Sequence, residues 1–310
     1  MKILITGVRG FTGPYLRAEL ESAGHEVIGT VFDPRTLTNE SILDIHSLEA
    51  CREVIARERP DVIFNLAGIA ATNEVCTQPY YATNVIGAEN LLRACCDVGH
   101  IPKKIILVSS SVVYGIPSEA NFELSECAPL NPVNHYGISK LAMELVARTF
   151  FDRLPILIVR PFNYVGRGQG LRFVTAKIVD HFRRGAPLIE LGNVDVARDF
   201  SDVRDVVGIY GKLMQTDAVS DVVNVCSGRA YPLRYLIDTL EAYTGHRLEV
   251  RVNPKFVRAN DPKIVRGSTE KLSELLGPIV SREFDDTIEW MADWIQEAPA
   301  MPRPAASAAR

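Results

Sequence analysis

Lys2-Ile-Leu-Ile-Thr6-Gly7-Val8-Arg9-Gly10-Phe11-Thr12-Gly13-Pro14 is the stretch whose reading decides the fold. The run Lys2–Thr6 is apolar almost throughout, as in a strand of a parallel sheet covered on both faces. Three glycines follow at 7, 10 and 13, and Pro14 suits the first turn of a helix, where a missing N–H costs little. In this strand–turn–helix setting the glycines permit a tight turn and bring a pyrophosphate close to the helix N-terminus. A glycine-rich turn without a ligand would look the same locally, so the rest of the chain must decide.

Working outward, the same alternation repeats. His25–Phe32, Asp61–Ala67, Lys104–Ser109 and Pro155–Arg160 read as further strands. Pro14–Ala23, Leu48–Glu58, Tyr81–Val98 and Tyr136–Phe151 read as amphipathic helices between them. Repeated βα predicts an α/β, doubly wound parallel sheet of Rossmann type with right-handed crossovers. After Arg160 the loops lengthen, and Asp205–Gln215 with Asp221–Cys226 supply one more helix and strand of the sheet. The expected division is a dinucleotide-binding domain at 1–163 plus 201–226, a smaller C-terminal substrate-binding lobe at 164–200 plus 227–297, and a disordered Pro/Ala-rich tail at 298–310.

Composition narrows the function. A net charge of -4 over 310 residues gives no reason to expect nucleic acid or an anionic membrane as partner. No apolar run approaches the roughly 20 residues of a membrane span. Six cysteines without CxxC spacing predict reduced, mostly buried thiols, and the histidines show no metal-ligand spacing. With a strand starting at Lys2 there is no room for a signal peptide, so the expected location is cytoplasmic.

Tyr136-Gly-Ile-Ser-Lys140 carries the chemistry. Residues four apart share a helix face, so the Lys140 ammonium is expected near the Tyr136 hydroxyl, lowering its pKa for proton exchange with a carbonyl or alcohol oxygen. Val108-Ser109-Ser110-Ser111-Val112-Val113-Tyr114 ends a strand, the side of an α/β sheet where ligands bind.

The spacing GxxGxxG, the Tyr-x-x-x-Lys and the serine cluster together resemble the extended short-chain dehydrogenase/reductase family over nearly the whole chain. The resemblance implies a catalytic triad of Ser110, Tyr136 and Lys140. It further implies a nicotinamide cofactor held by Gly7, Arg9, Gly10, Phe11, Thr12, Gly13, Asp44, Ile45, Leu66, Ala67, Gly68, Asn84, Tyr136, Lys140 and Pro161. Ser109 and Ser111 are expected to satisfy backbone groups, with Ser111 also beside the substrate. Val31 stands where NAD-using relatives carry Asp, and Arg9 and Arg35 could face a 2′-phosphate. NADPH is therefore favoured. Asp33, shifted by two, would instead chelate ribose and favour NADH.

The segments 168–177, 191–206 and 224–228 resemble the GDP-sugar branch of that family, its GDP-4-dehydro-6-deoxy-mannose reductases and their sister 4,6-dehydratases. This implies nucleotide or sugar contacts at Asn163, Val174, Lys177, Leu191, Arg198, Arg258 and Asp261, with arginine forks on the diphosphate. Lys177 and Asp261 could equally be solvated charges, and Arg198 could pair with Asp199 or Asp202. Dehydratases of the family carry an acid where this chain has Val112, and Glu119, Glu123 and Glu126 just downstream read as solvated acids on a mobile loop. The expected activity is reduction of the C4 keto group of a GDP-4-keto-6-deoxyhexose to a GDP-6-deoxyhexose such as GDP-D-rhamnose. A nucleotide-sugar 4-epimerase or 4,6-dehydratase, and more distantly a non-catalytic nucleotide sensor, are the alternatives. A homodimer through four helices, two from each chain at Tyr81–Val98 and Tyr136–Phe151, is also implied.

Overall fold

The computed structural model describes residues 1–32, 40–70, 76–117, 121–257 and 262–293. Arg35, Arg258, Asp261 and the 298–310 tail fall outside the described residues.

The strands run in chain order as β1 (Lys2–Thr6), β2 (Glu26–Val31), β3 (Ser41–Ile42), β4 (Val62–Asn65), β5 (Lys104–Val108), β6 (Asn121–Leu124), β7 (Ile156–Pro161), β8 (Asn163–Val165), β9 (Leu188–Leu191), β10 (Ala197–Asp202), β11 (Asp221–Val225), β12 (Ala230–Pro232), β13 (Glu249–Val252) and β14 (Ile264–Gly267). The helices are α1 (Gly13–Ser22), α2 (Leu48–Glu58), α3 (Gln78–Tyr80), α4 (Ala88–Val98), α5 (His135–Arg148), α6 (Val174–Arg183), α7 (Val203–Leu213), α8 (Leu233–Thr244), α9 (Glu270–Leu276) and α10 (Phe284–Asp293). Seven strands form one sheet in the order β11-β7-β5-β4-β1-β2-β3, every pair parallel. The chain winds outward from β1 in both directions, and the reversal between β1 and β4 opens the crevice where such sheets bind ligands.

Each face of this sheet is covered. One core layer joins Val54 and Ile55 of α2, Leu91 and Leu92 of α4 and Met143 and Ala147 of α5 to Leu4, Ile63, Ile105 and Ile156. The other joins Leu16 and Leu20 of α1, Val206 and Tyr210 of α7 and Leu272 of α9 to Ile3, Phe64, Leu157 and Val223. Strands buried on both sides explain the unbroken apolar runs.

The later part of the chain builds a second layer system. β12, β10, β14 and β6 form a sheet, with β8 pairing β10, while β9 and β13 pair separately. α6, α8 and α10 pack Ile178, Phe182, Leu236, Leu240, Ile288 and Met291 into its core beside Val165 and Phe200. Asp199 is the hub here. Its carboxylate accepts from the Ser227 amide and hydroxyl and the Gly228 and Gly267 amides, at 2.7–3.1 Å. Burial pushes its pKa up against those donors.

Three expectations change. Residues near Glu123 and Glu126, read as a mobile loop with solvated acids, contain β6, paired in register with β14. Glu126 Oε1 accepts the Asn224 amide at 2.7 Å instead of facing only solvent. The stretch from Tyr81 opens as a π-helix at Tyr81–Gly87 before continuing as α4. Among the cysteines, Cys76 and Cys127 are exposed; Cys51, Cys95 and Cys226 are buried. No helix among the described residues is long and apolar enough to cross a membrane.

Candidate active site

The glycine loop is shaped by contact. Gly7 has φ +66°, a region that costs a side chain dearly. A Cβ on Gly13 would lie 2.0 Å from the Val8 carbonyl oxygen, so α1 can start here only with glycine. Beside the loop lies a cavity of about 290 Å³ lined by Thr6, Gly7, Thr30, Val31, Phe32, Leu43, Ile45, His46, Ala67, Gly68 and Thr83. Gly7, Ile45, Ala67 and Gly68 are thus brought together as expected. Phe32, His46 and Thr83 were not singled out in the sequence. His46 bonds Asp44 at 2.9 Å and Thr83 at 3.0 Å, which ties Asp44 to the same wall.

Other expected cofactor residues are placed differently. Phe11 stacks on Tyr164 of β8 with ring centroids 5.8 Å apart, and the Thr12 hydroxyl meets the Tyr164 hydroxyl at 2.8 Å. These two side chains join the loop to the smaller lobe. Arg9 donates to Glu40 at 2.7 Å, and Glu40 also holds Arg17 at 3.1 Å. Asn84 accepts the Ile69 amide at 2.9 Å and donates to Ser139 Oγ at 2.9 Å. It therefore clamps the loop after β4, which carries the half-buried Leu66 and the exposed Gly68, against α5. Pro161 is buried at the end of β7, opposite Val225.

Ser110, Tyr136 and Lys140 converge at the carboxyl ends of β4 and β5. Asn134 caps α5 by accepting the Gly137 amide at 2.9 Å, which fixes the start of the helix that presents Tyr136 and Lys140. Ser110 lies close enough to Tyr136 to act on the ionisation of its hydroxyl, while its own oxygen accepts the Val112 amide at 3.3 Å. Lys140 Nζ donates to the Val108 carbonyl at 2.8 Å and would lie 3.2 Å from a Cβ on Gly68. That missing Cβ leaves open space between Lys140, Asn84 and the cavity that Gly68 also lines, so a ligand can approach the ammonium there. The residues fit a nicotinamide cofactor.

The electrostatics differ from expectation. Burial pushes the Tyr136 hydroxyl up to about 12, with Ser110 opposing it. Burial also draws Lys140 down to about 8, with Glu144 opposing. The predicted lowering of the Tyr136 pKa by Lys140 is not found: Lys140 donates to the Val108 carbonyl, and loss of water dominates at Tyr136. Tyr136 is a protonated donor at neutral pH. Ser109 also departs from expectation: it donates to the Glu144 carboxylate at 2.5 Å, not to backbone.

In the second sheet, Asn163 of β8 is exposed and donates to the Asp199 carbonyl at 3.3 Å. Lys177 Nζ donates to the Glu190 carbonyl at 3.0 Å and lies 5.3 Å from the Phe256 ring centroid. Leu191 is buried at the end of β9, and Val174 is exposed at the start of α6. Arg198 donates to the Ala197 and Pro262 carbonyls at 2.8 and 2.9 Å. The ion pair of Asp202 is with Arg204, at 2.5 Å. No group of three or more metal-ligating side chains occurs among the described residues.

Comparison with known proteins agrees with this geometry. GDP-6-deoxy-D-talose 4-dehydrogenase of Aggregatibacter actinomycetemcomitans is 34% identical, over 89% of this chain and 92% of its own length. GDP-6-deoxy-D-mannose reductase of Pseudomonas aeruginosa is 32% identical, over 89% and 91%. The structure of RMD from Pseudomonas aeruginosa complexed with NADPH superposes with a TM-score of 0.85 at 29% identity, over 96% of this chain and 99% of that one. Residues 3–226 match the family described as NAD dependent epimerase/dehydratase. The protein is an enzyme of that family, one of the extended short-chain dehydrogenase/reductases.

Proposed function

We propose that the protein reduces the C4 keto group of a GDP-4-keto-6-deoxyhexose with hydride from NADPH, giving a GDP-6-deoxyhexose such as GDP-D-rhamnose. Two relatives named for 4-dehydrogenation or reduction of GDP-6-deoxyhexoses support the substrate class. The observation that carries the reaction type is the neutral run Ser111-Val112-Val113 on the 3₁₀ turn that Ser110 caps. Elimination of water would need a titratable group beside C5 and C6, and these three side chains supply none. Of the acids just downstream, Glu119 falls outside the described residues, Glu123 pairs with Arg266 and Glu126 accepts the Asn224 amide.

In this reading the glycine loop, Ile45, Ala67, Gly68 and Lys140 hold the cofactor, and Arg9 exchanges its Glu40 partner for a 2′-phosphate. When bound, the reduced nicotinamide supplies the hydride. Ser110 and Tyr136 together bind the keto oxygen, and Tyr136 delivers its proton there as charge develops. Donors aimed at a developing alkoxide in a dry site are worth several kcal/mol. Asn163, Lys177, Arg198 and the backbone at Leu191 line the path for the GDP moiety. The enzyme works in the cytoplasm as a homodimer. Ile86, Ile138 and Leu145, exposed on the neighbouring π-helix and α5, form the face for a second copy.

Incubation with NADPH and GDP-4-keto-6-deoxymannose, followed by NMR of the product, tests the reaction. Reduction at C4 is expected. A parallel incubation of GDP-mannose with catalytic NADP⁺ should give no 4-keto-6-deoxy product. Comparable turnover there would assign a dehydratase instead.

A further inference from the structure

Glu144 lies one helical turn beyond Lys140 and is wholly buried. Arg160 of β7, 1% exposed, grips it with two bonds, Nε to Oε1 at 2.9 Å and Nη2 to Oε2 at 2.6 Å. Ser109 Oγ donates to the same Oε1 at 2.5 Å. Arg160 Nη1 continues to the Tyr114 hydroxyl at 3.0 Å, which donates to Asn224 Oδ1 of β11 at 2.7 Å. The network therefore ties the ends of β5, β7 and β11 to α5 from beneath the reacting side chains. A buried ion pair is a poor way to stabilise a fold, since an apolar pair of equal volume does as well or better. A role at the site accounts for its placement.

We infer that Glu144 is a positioning residue: locked by Arg160, it holds Ser109 and so the end of β5 against α5, setting Ser110 on Tyr136, and it provides the counter-charge for Lys140. This rests on the proposal that Ser110, Tyr136 and Lys140 perform the reaction. The geometry is specific. Ser109 and Ser110 are adjacent, so a shift of the Ser109 hydroxyl carries Ser110 with it. Lys140 already anchors to Val108 one residue earlier, and Glu144 supplies the second anchor between the same two elements. Glu144 is the charged group acting on Lys140. Tyr136 is the other titratable group on that helix face. The elements packed against Lys140 contribute the Val108 carbonyl and Gly68, neither of which titrates.

The test compares Glu144→Gln, the double variant Glu144→Gln/Arg160→Gln and Ser109→Ala. Lys140 is titrated in the substrate-free protein through its ε-carbon NMR resonance, and keto-sugar reduction is followed against pH. In Glu144→Gln the Lys140 titration should move down by roughly one pH unit, since an opposing charge is lost and Arg160 is left uncompensated. Its kcat should fall about 10–100-fold, and the basic limb of the rate profile should move with the titration. The double variant removes the orphaned arginine, so it remains informative where the single one does not fold. It too should titrate Lys140 lower. Ser109→Ala should leave the Lys140 titration in place and lower kcat severalfold, with KM for both substrates held within about twofold. An unmoved Lys140 titration in the double variant, or wild-type kcat in Ser109→Ala, overturns the inference. A wild-type protein that fails to reduce the keto sugar refutes the substrate assignment instead and leaves the titration to judge Glu144.

Discussion

Lys140→Met should make the protein more stable at neutral pH while abolishing activity. Lys140 is only 6% exposed, and burial draws its pKa from 10.5 to about 8. At about 1.36 kcal/mol per unit, holding the charge in the folded state costs about 3 kcal/mol. Methionine removes that cost and keeps much of the volume. It also deletes the bond to the Val108 carbonyl, a pH-independent loss of about 1 kcal/mol. The variant should therefore gain about 2 kcal/mol at pH 7. The sign of the pH dependence is fixed. Below pH 8 both folded and unfolded states carry the proton, and the full penalty stands. Between about 8 and 10.5 the folded protein releases it first, so the wild type recovers stability. Its deficit should shrink by about 1 kcal/mol at pH 9 and by about 2–3 kcal/mol at pH 10. Urea unfolding of both proteins across this range measures the difference, in which the titration of other groups cancels. A difference that stays flat between pH 7 and 10 would show that Lys140 is not a buried charge, and the argument for its placement would fail.

Tyr136→Phe should keep cofactor affinity, read by fluorescence titration, while kcat drops ~10²–10⁴-fold through loss of the proton donor. Gly13→Ala would force a Cβ to within 2.0 Å of a backbone oxygen; thermal unfolding should show a loss of about 1–3 kcal/mol, and cofactor affinity should fall with it. Leu145→Asp places a charge on the exposed face of α5; light scattering should find the proposed dimer in the wild type and a monomer in the variant, with the fold intact by circular dichroism.

Much of the fold was legible because both of its signals are local. Lys2–Thr6 and Leu48–Glu58 carry their own apolar pattern, and the observed bounds agree with it. The same holds for Tyr136 and Lys140, whose spacing alone puts them on one helix face. What the sequence hid depends on partners far along the chain. β6 is a strand only because β14, more than a hundred residues later, offers an edge. Arg160 reads as the last residue of a strand, and nothing local says that it will meet Glu144. The Tyr136 pKa went the other way because burial is a property of the assembled fold, and spacing carries no information about it. Phe11 and Thr12 look like ligand contacts beside their glycines, yet their side chains serve Tyr164, 152 residues on from Thr12.

The π-helical turn at Tyr81–Gly87 constrains how this chain can tolerate length changes. Each residue advances a helix by about 100°, so a wider turn rotates everything before it relative to everything after it. Asn84 lies within that turn and spans from Ile69 to Ser139, while α4 beyond it must still aim Leu91 and Leu92 at the sheet. Removing one residue here would restore ordinary pitch and swing one of these two sets away from its target. A single-residue deletion in this segment is therefore a frameshift in three dimensions: the core can stay in register or the asparagine clamp can, but not both.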